Sequence, residues 1–147
     1  MPLIYACIAP HAGDLIPETI ADKNIVAATR QSMYAMGSKL EALQPDVIVI
    51  INPHGFRVSN AMNIAITEKA TADWAPDVKL DFDVDQELAN AIADQAEIMS
   101  VPVARYIYGA SSGDSCFVPL DWGAVVDRKS TRLNSSHIQK SRMPSSA

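Results

Sequence analysis

Val47-Ile48-Val49-Ile50-Ile51-Asn52-Pro53-His54-Gly55 decides the fold class of this chain. The first five residues are apolar and all β-branched, with no alternation. Such a run reads as a strand covered on both faces, as in the centre of an α/β sheet. Asn52, Pro53 and Gly55 end it and set His54 just beyond its C-terminal end.

Upstream, Pro45 stops a helix whose inner face is written as Val26, Thr29, Met33, Met36, Leu40 and Leu43, spaced alternately by three and four. Asp22 is placed to cap it. Residues 3–9 form a second short apolar run closed by Pro10, which reads as a buried strand with Cys7 in the core. Downstream, residues 57–66 alternate weakly and read as a strand. Residues 68–79 read as a surface loop holding Trp74. Residues 78–84 alternate apolar and charged, as in a half-exposed strand. Asp83 or Asp85 opens a second helix with Leu88, Ile92, Ala96 and Met99 inside. Residues 102–108 are strand-like, and a glycine- and serine-rich loop, 109–115, follows. Helices separating strands in the order β-loop-α-β-β-α-β give an α/β fold with a mixed, largely parallel sheet flanked by helices. No internal repeat is present.

The composition excludes several functions. Residues 1–126 hold seven basic and 16 acidic side chains, a net of −9, where a nucleic-acid partner needs clustered Lys and Arg. No apolar run approaches the roughly 18 residues that span a membrane. The start lacks a basic n-region, and the two cysteines, Cys7 and Cys116, suit a reducing compartment better than a disulfide scaffold. A cytoplasmic location is the expectation.

From Asp127 to Ala147 the pattern changes: six serines and five bases appear and apolar periodicity stops. One reading is a disordered basic tail, and another is a nucleic-acid-binding arm. The favoured reading is a non-native tail, because its two halves resemble the translated arms of a common sequencing adapter. Residues 127–147 are therefore set aside, His137 with them, and the domain is expected to occupy 1–126 with its natural reading frame interrupted near Val126.

Two histidines remain, His11 and His54. Each follows a proline, and each stands at the C-terminal end of an expected strand, where α/β sheets gather ligands. Gly13 and Gly55 let the chain turn close to a ligand. Two imidazoles with a carboxylate and open positions suit non-haem ferrous iron and oxygen. The competing reading of either histidine alone is a hydrogen-bonding residue at a strand end.

The segment Ala9-Pro10-His11-Ala12-Gly13-Asp14-Leu15-Ile16-Pro17-Glu18 resembles the opening motif of the class III extradiol ring-cleavage dioxygenases, the LigB superfamily. The resemblance continues through Thr29-Arg30-Gln31-Ser32-Met33, Gln44-Pro45-Asp46-Val47, Asn52-Pro53-His54-Gly55, Gly109-Ala110-Ser111 and Pro119-Leu120-Asp121-Trp122-Gly123-Ala124-Val125-Val126. It implies iron-dependent cleavage of a catecholic ring with O2, with His11 and His54 as metal ligands and Fe(2+) as the metal, Zn(2+) being the alternative. It also implies a small aromatic substrate, no nucleic acid, no membrane, and a homo-oligomer or second subunit as an open question. The family's third ligand, a glutamate, and its acid/base histidine have no counterpart in this sequence, so the chain alone is expected to be inactive. Relatives often carry histidine where this chain has Trp122. That difference keeps a non-catalytic metal- or ligand-binding domain as the alternative.

Blander readings fit the other polar residues. Asp14, Glu18 and Asp121 are read as loop-solvating or turn residues before metal neighbours. Ser111, Ser112 and Ser115 lack the Gly-x-Ser-x-Gly elbow of a nucleophile, and the glycines of 109–113 lack nucleotide-loop spacing.

Overall fold

The computed structural model describes residues 2–10, 15, 24, 26–75, 78–120 and 138–140. Its elements, in chain order, are α1 (Ala27–Leu43), β1 (Ile48–Val49), β2 (Met62–Ala65), β3 (Lys69–Ala75), β4 (Val78–Val84), α2 (Gln86–Ile98), β5 (Val103–Tyr106), β6 (Phe117–Pro119) and β7 (Ile138–Lys140). Five strands form one sheet in the order β1-β7-β4-β3-β6, and β2 and β5 form a second, parallel pair. The fold is α/β with mixed sheets, as the sequence indicated. The β2·β5 and β3·β6 ladders are parallel, and the longest ladder, β3·β4, is antiparallel.

Period-two burial builds the main core. Ala70 and Ala72 of β3 point inward with Val84 of β4, and Val118 and Leu120 close the far side. Phe82 and Tyr106 pack against that cluster. The opposite face of the hairpin is wet: Lys69 reaches Asp81 at 3.1 Å and Asp83 at 3.7 Å. This face explains why β3 escaped the sequence reading. Its inward residues are alanines, which carry little strand signal, and the segment looks like a polar loop. Residues 69–75, Trp74 included, are strand and not loop.

α1 buries the expected stripe, with Met33 inside and Val26, Thr29, Met36 and Leu40 half-buried, while Leu43 is exposed. The residue before the helix is Val26 in a left-handed conformation, and no side chain caps it. Asp22, the expected cap, lies outside the described residues. α2 is capped by Asp85, whose carboxylate accepts from the Leu88 N–H at 3.0 Å. Its inner face centres on buried Ala89 and Ala93, between half-buried Leu88, Ile92 and Ala96. Met99 falls past the helix and is exposed. α2 packs on β5 and β2, and Arg105 of β5 clasps both Asp94 and Glu97 of the helix.

Two expectations fail at the strand said to decide the fold and at its partner. Residues 3–9 form no strand, and Cys7 is exposed, not buried. The central strand shrinks to Ile48–Val49 at the sheet edge, with Ile50 buried but Ile51 75% exposed. An apolar run specifies a buried strand only where a ladder and two covering layers are present. Among the described residues, β1 pairs with β7 alone, and residues 3–9 pair with nothing. β7 lies in the serine-rich tail and pairs with β1 and β4.

Candidate functional site

Two devices shape the chain after β1. The Asn52 side chain accepts from the His54 N–H at 2.9 Å, a local turn that Asn forms with its own backbone two residues on. Gly55 follows at φ 106, a conformation that side chains rarely adopt and glycine adopts freely. Together they place His54, exposed, on a short bend beyond the strand. The bend forms one wall of a cavity of about 590 Å³. Met62, Asn63, Ile64 and Ala65 of β2 form the opposite wall, with Tyr106 from the end of β5 and Ile92 from α2.

Two contacts tie the walls together, and a third holds β2 to β5 behind them. Phe56 stacks on Tyr106 with ring centroids 5.3 Å apart and planes 30° from parallel. The Asn63 Nδ2 donates to the Phe56 carbonyl at 2.5 Å. The Ile66 N–H donates to the Tyr106 carbonyl at 3.0 Å, continuing the parallel ladder past Ala65. Burial pushes the Tyr106 hydroxyl above the ordinary tyrosine range, so the phenol keeps its proton throughout the neutral range. Arg57 adds a cation to the lining.

His54 therefore lies past the end of β1, on the bend that lines the cavity. His11, Asp14, Glu18, Asp121 and Trp122 lie outside the described residues. Residues 3–9 form no strand, so the strand end at which the sequence set His11 is absent. Ser111, Ser112 and Ser115 sit in the exposed loop between β5 and β6, which closes on a bridge between Gly109 and Cys116. Cys7 and Cys116 are free thiols, one exposed and one buried. Among the described residues, no group of three or more His, Cys, Asp or Glu could hold a metal ion. The sequence reading missed Phe56, Asn63 and Tyr106. Tyr106 and Asn63 belong to strand-like runs, and only the pairing of β2 with β5 shows that they face one site.

A histidine-bearing bend over a cavity lined by aromatic side chains, in an α/β fold, is the kind of place where small molecules bind. The family model described as the catalytic LigB subunit of aromatic ring-opening dioxygenase matches residues 5–126, and the chain belongs to that family. The match ends at the residue after which the composition changes. A search of curated proteins matched none. Among the described residues, no helix is long and apolar enough to cross a membrane.

Proposed function

We propose that this chain carries part of the site of an Fe(II)-dependent extradiol dioxygenase, which opens a catecholic ring with both atoms of O2. His54 in the lining of the cavity, in a chain of the LigB family, is the observation that carries this reading. His11 and His54 are the proposed ligands. Imidazole nitrogen suits Fe(II) and equally Zn(II), and zinc is the alternative occupant. Bound ferrous iron would supply the redox link between ring and O2 that a singlet aromatic and triplet oxygen lack. The chain's own contribution is the cavity. Phe56 and Tyr106, stacked on each other, give it an aromatic surface for a flat substrate, and Ile64 and Ala65 add apolar lining.

The test is anaerobic titration of Fe(II) into the chain and into His11→Ala and His54→Ala. Each substitution is expected to weaken binding at least about tenfold, the scale on which metal sites respond to lost support. Unchanged affinity in both variants would remove the metal site. Binding of Zn(II) without Fe(II) would favour the non-catalytic domain that Trp122 suggests.

A further inference from the structure

We propose that Asn63 is the positioning residue for His54. This inference rests on the reading of His54 as a metal ligand. Asn63 sits on β2, paired with Ala104 in a ladder bounded by the Met62 N–H to Pro102 bond at 2.9 Å and the Ile66 N–H to Tyr106 bond at 3.0 Å. It is thus fixed to a rigid element, whereas His54 is on a bend. The Asn63 Nδ2 holds the carbonyl of Phe56, two residues after His54, at 2.5 Å. A carbonyl only accepts, so the amide must turn its nitrogen to Phe56, and the Oδ1 position is settled with it.

That Oδ1 is buried and has no hydrogen-bond partner among the described residues. A buried acceptor left unmade is costly, and an apolar residue on β2 would avoid the cost. Asn63 is therefore poorly explained by stability alone. Its useful product is the fixed Phe56 carbonyl. These contacts restrain the backbone that carries the imidazole: the Asn52 turn at His54, the Asn63 bond after it, and the Phe56 ring laid on Tyr106. Gly55, with open space where a Cβ would lie, is the flexible joint that the Asn63 bond immobilises.

The experiment compares the full chain with Asn63→Ala, His54→Ala and Asn90→Ala by two readouts. Asn90 makes the same kind of side-chain bond, to the Gln86 carbonyl at 2.8 Å on exposed α2, and controls for its loss elsewhere. The first readout is the amide order parameter of residues 54–56 without metal. The second is the affinity for Co(II), with its absorption spectrum as a probe of ligand geometry. Asn63→Ala is expected to lower the order parameters below about 0.6, the flexible range. It should also weaken Co(II) about tenfold and alter the spectrum. Asn90→Ala should change neither. Order parameters and affinity both unchanged in Asn63→Ala, with His54→Ala still losing the metal, would overturn the positioning role alone. Co(II) affinity unchanged in His54→Ala would overturn the ligand reading, while the order parameters would still report on the clamp. Asn63→Gln, which restores a donor one methylene farther out, should recover part of the order and affinity if the bond is the cause.

Discussion

Single residues in this chain differ in what their backbones demand. Gly109 and Gly113 share a loop and a positive φ, 76 and 78, yet a Cβ would meet different surroundings. At Gly113 it meets nothing within 4 Å, and at Gly109 it would lie 2.2 Å from the Ser115 carbonyl oxygen. Gly113→Ala is expected to cost about 1 kcal/mol, the left-handed penalty alone. Gly109→Ala must also push the loop off the Gly109–Cys116 bridge and is expected to cost more, about 2–3 kcal/mol by urea unfolding. Equal losses would mean that the loop gives freely. Tyr106 makes a prediction in pH. Its folded state disfavours the phenolate because burial raises its pKa above 10.0. The stability it contributes is whole below that value and declines as pH rises through it, because the unfolded phenol ionises first. Phe at position 106 should flatten the alkaline decline in unfolding free energy. The site was legible at this scale only in part. His54, between Pro53 and Gly55, announced itself. Asn63 and Phe56 did not, because their roles arise from one bond across seven residues and from a ring partner on another strand.

At the scale of elements, legibility followed how much of the driving pattern is local. α1, α2 and β4 were readable because a helix stripe or a charged alternation is complete within its own segment. β3 was not, because its burial is done by alanines. The run at 47–51 was over-read, because burial on two faces is a property of neighbours and not of the run. α2 gives two tests of what holds it. Asp85→Ala removes the cap bond to Leu88 and is expected to cost about 1 kcal/mol. Arg105→Ala releases Asp94 and Glu97 together, across the contact of α2 with β5. Exposed pairs of this kind contribute about 0.2–1 kcal/mol each and are screened by salt. The Arg105→Ala loss should therefore shrink between 0.05 and 0.5 M NaCl, roughly as screening predicts, while the Asp85→Ala loss changes less. The same two losses at both salt concentrations would argue that Arg105 acts through its packed stem.

Among the described residues, several long aliphatic side chains stand in water. Ile8 is 99% exposed, Leu3 85%, Ile98 76% and Ile51 75%. Scattered exposed apolar residues are ordinary, but four long aliphatic side chains this open in one small chain are a liability for solubility. Charge opposes it. The chain has a net charge of −5, with the acidic excess concentrated in residues 1–126. Like-charged molecules repel at low ionic strength, and salt removes that barrier while leaving apolar attraction intact. The chain is therefore expected to bind the dye ANS in its native state and to scatter more light as salt rises. Ile8→Lys and Ile51→Lys should lower both signals without moving the unfolding midpoint, since neither side chain loses packing that it already has. Dye binding that survives both substitutions would locate the open apolar surface elsewhere. A midpoint that falls would instead show that Ile8 or Ile51 contributes packing to the folded state.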